Sequence, residues 1–291
     1  MNKFLVNIKD FFNKRKYRHF ENVDEAYVYR PKKWISNLIF LAIFLGFFIY
    51  CTVASGVFDN NSWTDKATIS AIFKGFFVPN FEYMFGYGKY TFSSSVVYQL
   101  LQTFAIAFTG TLISSVLSVP FGFLASRKMV GKWAIISEIL LITIRTFPEI
   151  LLGFILIKGT GFGAFTAMLV ISIHSIGMIG KLYSEQLDLV DNGPLEALNA
   201  CGASAFTRIN LGVIPQIAPN FISIILYRFD LNVRTAALLG LCAGEDGGIG
   251  YFISSLSKNY HWAELGSIMW GIILMVLAID FVSSQLRKKL I

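Results

Sequence analysis

The strongest constraint on this chain is a series of long apolar runs that are almost free of charge. A run of about 20 such residues spans a bilayer. Only a helix or a closed barrel can do so with every backbone group satisfied internally. Six runs can be drawn as helices: Trp34–Val57, Val97–Ala125, Trp133–Ile157, Phe162–Lys181, Leu211–Tyr227 and Leu265–Leu286. Between the last two lies Arg234–Leu256, apolar but cut by Gly244, Glu245, Asp246, Gly247, Gly248 and Gly250. It is too short to cross twice. Irregular backbone at membrane depth is tolerated where it lines a cavity or is buried in protein, so this segment reads as a broken, pore-lining element. The expected fold class is all-α and polytopic, with about six transmembrane helices.

Composition agrees: 55% of residues are hydrophobic and only 15% charged, against about a quarter charged in soluble domains. The net charge of +7 would suit nucleic acid if it formed one patch, but it does not. Basic residues flank the apolar runs, as in the inner loops of membrane proteins, so no nucleic-acid partner is expected. With the N-terminus inside, 17 Lys and Arg fall on inner segments and seven on outer ones. This favours a multi-pass protein of a bacterial cytoplasmic membrane with both termini in the cytoplasm. No signal peptide is apparent.

The chain then divides into a basic cytoplasmic arm at 1–33, a first transmembrane helix at 34–57, an extracytoplasmic segment at 58–96 and a transmembrane core at 97–291. In the arm, Phe4, Leu5, Ile8, Phe11 and Phe12 fall on one helix face among basic residues. A helix lying on the lipid surface and a solvated arm both fit. The 58–96 segment reads as a small cap or as interfacial helices. Cys51, Cys201 and Cys242 show no metal or disulfide spacing, and the three His are dispersed. No metal site is expected.

The functional signal lies in the inner loop 182–210. Asn192 is placed to cap a helix, Pro194 suits its first turn, Glu196 sits where the helix dipole favours an acid, and Gly202 is placed to end it. Leu195, Leu198, Cys201 and Ala205 share one side, so an apolar face is expected to dock in a groove of a second chain. The bland alternative is an ordinary amphipathic connector.

This loop resembles the coupling motif of ABC importer permeases: Glu-Ala-Ala, three residues, Gly, nine residues, Ile-x-Leu-Pro. Glu196, Ala197, Gly202 and Pro215 match, whereas Leu198 replaces the second Ala, Gly212 the Ile and Ile214 the Leu. The resemblance implies that Glu196, Ala197, Leu198, Gly202 and Pro215 form the ATPase-coupling element. It also implies three partners: an ABC ATPase subunit, an extracytoplasmic substrate-binding protein, and a second permease copy, either identical or a paralogue. The chain has no GxxxxGK[ST]. It is therefore expected to bind no cofactor itself, with ATP and Mg on the partner ATPase.

Ile144–Glu149, Ile173–Leu182, Gly193–Leu198, Arg234–Gly240 and Gly247–Gly250 are similar to the phosphonate-importer permease family, over roughly two thirds of the chain from Gln99 onward. That resemblance implies a phosphonate-like or phosphate-like anion moved by alternating access. The acids of Cys242–Asp246 depart from it. Arg145, Glu149, His174, Ser175 and Arg234 are the candidate pathway residues. Arg145 lies mid-span, where an unpaired charge costs at least about 2.5–3.5 kcal/mol, and Glu149 four residues on is placed to pair with it. A guanidinium on an anion path and a structural ion pair both fit Arg145. Interhelical hydrogen bonding and pathway lining both fit His174 and Ser175. Arg228, Asp230 and Arg234 are expected at the outer mouth. The same architecture for phosphite, thiamine, a nucleoside or an amino acid remains open. An integral membrane enzyme acting on lipid would need a convergent acid, base or nucleophile set, and His174, Glu149 and Glu185 show no such spacing.

Overall fold

Helices meet closely here where small or polar side chains allow it, the usual basis of association in lipid. The computed structural model describes residues 34–55 and 66–290. The N-terminal arm at 1–33 lies outside the described residues. The chain divides into two units, Met1–Asp65 and Lys66–Ile291. In the first, α1 covers Trp34–Ala54, 21 mostly apolar residues without a charge and about 31 Å long at 1.5 Å per residue.

The second unit is built on α4 (Val96–Ala125), α8 (Ala164–Asp188), α11 (Ile214–Ala243) and α13 (Trp262–Leu290). Helix α4 packs along α8, and α11 covers both. Ile106, Ala107, Val170, Ile171, Val233 and Leu239 form the buried core between them. Gly177 of α8 lies against α6 (Ala134–Thr146), where a Cβ would stand 2.8 Å from both the Arg145 N and the Leu141 O. Only a residue without a side chain allows that approach. Among the described residues, α1 included, five helices are long and apolar enough to cross a membrane, or six if one bent pair is a single span.

That bent pair corrects the expected third span. Helix α6 covers Ala134–Thr146, α7 covers Glu149–Thr160, and they meet at 88°. Pro148 stands between them with Phe147 extended before it, as a residue preceding proline tends to be. The fifth span is also longer than expected. Helix α11 runs 30 residues, about 45 Å, and absorbs Arg234–Ala243 from the segment read as broken. The break itself is real: a turn at Glu245–Gly247 sits between Gly244 and Gly248, both at positive φ. Helix α12 (Ile249–Lys258) then packs against α11 and α13.

Helix α2 (Lys66–Phe77) and the short α3 (Phe81–Phe85) pack against α13. The Trp270 indole donates to the Phe76 carbonyl at 2.9 Å, and the Ser267 hydroxyl donates to the Asn80 carbonyl at 3.0 Å. The 58–96 segment is thus a pair of helices stitched to the last span rather than a free cap, as far as its residues are described.

Candidate functional site

Two places bring the candidate residues together: the loop that joins α8 to α11, and the bend between α6 and α7.

In the loop, α9 covers Gly193–Ala200 and α10 covers Ala205–Arg208. Gly202 ends α9 as expected. At φ +72° it lets its own N–H reach the Asn199 carbonyl and the Ala203 N–H reach the Leu198 carbonyl, both at 3.0 Å. These are the two bonds of a Schellman ending. Asn192 does not cap with its side chain. Asp191 does so instead, accepting the Gly193 N–H at 3.2 Å. Glu196 and Ala197 are exposed, and Pro215 opens α11.

The expected outward apolar face is corrected in part: Cys201 and Ala205 are exposed, but Leu195 and Leu198 are not. Leu195 packs inward on the buried cluster of Leu187, Val190, Val213 and Ile217. Gly212 explains how. A Cβ there would lie 2.8 Å from Leu195 Cδ2 and 3.2 Å from Leu198 Cδ1. Two departures from the motif are therefore one compensated exchange, in which the large residue has moved from 212 to 198. Gly212 lies in a π-helical turn, Ile209–Val213, a local feature found often at functional sites. What faces outward instead is Phe206, 74% exposed, with Leu189 at 77% and Leu211 at 64%.

The loop is tied to three spans. Asp188 Oδ1 accepts the Ser126 hydroxyl at 2.6 Å and the Lys128 N–H at 3.0 Å. Gln216 Oε1 accepts the Asp191 N–H at 2.9 Å, and the Asn220 amide donates to Gln186 at 2.8 Å.

The second place is a polar cluster inside the bundle. The bend removes the helical face that Arg145 and Glu149 were expected to share. Glu149 turns to α8 and α11 instead: its Oε1 lies 2.6 Å from His174 Nδ1 and 3.3 Å from Arg228 Nη2. Arg228 Nε donates to the Ser175 hydroxyl at 3.2 Å, and that hydroxyl donates to Asn232 Oδ1 at 3.1 Å. The Asn232 amide donates to Thr111 at 2.8 Å, whose hydroxyl donates to the Ala107 carbonyl at 2.6 Å. One chain of bonds thus crosses from α7 through α8 and α11 to α4. Arg228 is buried near the middle of α11, not at an outer mouth. Arg234 is half exposed and pairs with Asp230 at 2.9 Å, apart from this cluster.

A cavity of about 370 Å³ opens at the bend, lined by Arg145, Thr146, Glu149, His174 and Thr235 among apolar neighbours. Arg145 ends α6 and is exposed. Among the described residues its guanidinium has no ion pair. Sequence reasoning missed Asn232 and Thr111. The signal was present, since Arg228, Asn232 and Thr235 recur on one helical face.

Residues 118–290 match the family described as binding-protein-dependent transport system inner membrane component. The chain is 32% identical over 191 residues to a phosphite transport system permease of Stutzerimonas stutzeri, covering 65% of this chain and 69% of that one. A phosphate-import permease of Mycolicibacterium smegmatis is 27% identical, over 66% of this chain but 36% of the longer relative. A putative cryptic phosphonate transport system permease of Escherichia coli is 38% identical over 124 residues, 43% of this chain and all of that one. Among solved structures, the inward-facing MetNI methionine ABC transporter overlays with a TM-score of 0.59 at 18% identity, over 67% of this chain and 96% of that chain. It shares the fold.

Proposed function

The chain belongs to the family of binding-protein-dependent transport inner membrane components, and from that premise we propose that it passes an oxyanion of phosphorus across the cytoplasmic membrane. It is a transport subunit and not an enzyme. The observation that carries the substrate reading is the cavity at the α6–α7 bend, lined by Arg145, His174, Thr146 and Thr235, where Arg145 is exposed and has no ion pair among the described residues. A guanidinium offers paired donors that suit phosphate-type oxygens. The named phosphite, phosphate and phosphonate relatives support the same class.

The permease works with an ATPase subunit that binds ATP and Mg, and with an extracytoplasmic binding protein that delivers the solute. Glu196, Ala197, Leu198, Gly202 and Pro215 make the coupling element. Leu198 acts from within by seating α9 on Gly212, and Phe206 offers the outward apolar anchor. ATP-driven movement of the partner shifts α9, and the ties through Asp188 and Gln216 carry that shift to the spans. Two permease copies complete the pathway, a symmetric homodimer by default. Moving Arg228 from an outer segment into a span leaves the basic excess on the loop side, which supports both termini being cytoplasmic.

The test is uptake into proteoliposomes holding permease, ATPase and binding protein. Labelled phosphite, phosphate or methylphosphonate should accumulate with ATP, whereas methionine and thiamine should not. Accumulation of methionine or thiamine alone would replace this reading with another solute.

A further inference from the structure

Resting on that reading, we infer that Glu149 selects the protonation state of the transported anion, admitting oxyanions that carry a P–O–H group and rejecting sulfate. The argument lies in how the two oxygens of its carboxylate are used. His174 Nδ1 stands 2.6 Å from Oε1, so that nitrogen carries a proton and donates it. His174 Nε2 faces the Arg145 carbonyl at 3.3 Å. Both ring nitrogens therefore lie beside acceptor oxygens. Arg228 Nη2 donates to the same Oε1 at 3.3 Å. Its 3.0 Å approach to His174 Nδ1 is then a contact between two donors held together by one shared acceptor.

Two donors thus converge on Oε1, and the Thr235 side chain is a further hydrogen-bonding neighbour of the carboxylate. Glu149 lines the cavity and its side chain is 23% exposed, whereas the Arg228 side chain behind it is 5% exposed. The cavity is therefore lined both by Arg145, which has no ion pair among the described residues, and by a partly exposed carboxylate with acceptor capacity left over. A ligand that satisfies both must be an anion and also a hydrogen-bond donor. A monoprotonated phosphorus oxyanion is both. Sulfate near neutral pH offers only acceptors, and its lone pairs would face the carboxylate. A buried acceptor set against an acceptor costs far more than a missed contact, so the rejection is built into the site. The charged groups around Glu149 are His174 of α8, Arg228 of α11 and Arg145 of α6. Their positive sum is what makes a carboxylate tolerable beside an anion.

The experiment is thermal unfolding of the purified permease–ATPase complex, without binding protein, in phosphate, phosphite, methylphosphonate or sulfate at equal ionic strength. The three phosphorus oxyanions should raise Tm and sulfate should not. In Glu149→Gln, whose amide adds a donor, sulfate should raise Tm as well. Because that variant loosens the cluster, the wild type supplies a second reading. From about pH 6 to about pH 8, across the second dissociation of such anions, its phosphite- and methylphosphonate-induced rise should shrink as their last P–O–H is lost, whereas the phosphate-induced rise should persist because phosphate keeps one. Equal shifts with sulfate and phosphate in the wild type would overturn the inference, as would a phosphite- or methylphosphonate-induced rise that grows with pH or a Glu149→Gln complex still blind to sulfate. No shift with any anion, in a complex that does transport phosphorus oxyanions, would overturn it too and leave the proposed function standing. Failure of all three to be taken up would instead remove the function it rests on.

Discussion

The loop between α8 and α11 and the cluster at the α6–α7 bend solve opposite problems and leave opposite remainders. In the loop, the polar groups are satisfied locally, through the Gly202 ending and the Asp191 and Gln216 bonds. The remainder is apolar: Phe206, Leu189 and Leu211 stand exposed. In the cluster, charged groups are buried among apolar helices and bonded in a chain from Glu149 to Thr111. The remainder there is polar: the Arg145 guanidinium, with no ion pair among the described residues, beside the partly exposed Glu149 carboxylate. An apolar surplus outside a membrane calls for a protein surface. A polar surplus inside one calls for a solute or for water. The kind of unmet need distinguishes the partner of each region.

The sharpest way to break this contrast is to remove a group that the cluster uses rather than one it leaves over. Arg228→Ala leaves Glu149 and Ser175 without their shared donor. It should cost about 3–5 kcal/mol, as for other broken buried pairs, and so lower Tm and the yield of assembled complex. A replacement that left Tm unchanged would mean that the cluster is open to water.

A smaller effect is expected where the two regions are joined by packing. Gly212→Ile forces a side chain against Leu195 and Leu198 and should cost about 1–3 kcal/mol. Adding Leu198→Ala restores the motif's own arrangement of large and small residues and should recover most of that loss. A double variant no better than the single one would refute the compensated exchange; a double-mutant cycle on Tm measures it.

The smallest effect on the permease alone is expected at Phe206. Phe206→Ala should leave its Tm unchanged but weaken the ATPase by about 2 kcal/mol or more, roughly thirtyfold in Kd. Binding of the purified ATPase to the variant in detergent checks this. Unchanged affinity would mean that another part of the loop anchors the partner.

The loop was the more legible region because its signals are local. Asn192 to Pro215 carries its own start, stop and spacing, and a positive-φ glycine ends a short helix whatever surrounds it. Even there, the direction of Leu195 and Leu198 was hidden, since it depends on the missing side chain at Gly212, 17 and 14 residues further along the chain. The cluster was less legible. A hydropathy window sums across Phe147 and Pro148 and so hides an 88° bend, although proline itself was the clue. The depth of Arg228 was misplaced for a related reason. A span drawn between charges stops at a charge, whereas the protein runs α11 straight through it by bringing Glu149, His174 and Ser175 from two other helices. Six spans and an all-α fold follow from composition, but the pairing of charges across spans is a tertiary fact.

The central claim is that Arg145 is the free cation the anion meets. In proteoliposomes holding the complete transporter, uptake and ATP hydrolysis should be measured together for the wild type and for Arg145→Ala. The account predicts that uptake of phosphorus oxyanion is lost while complex yield, Tm and basal ATP hydrolysis are kept. Normal uptake with a lowered Tm would contradict it, and would make Arg145 a structural charge.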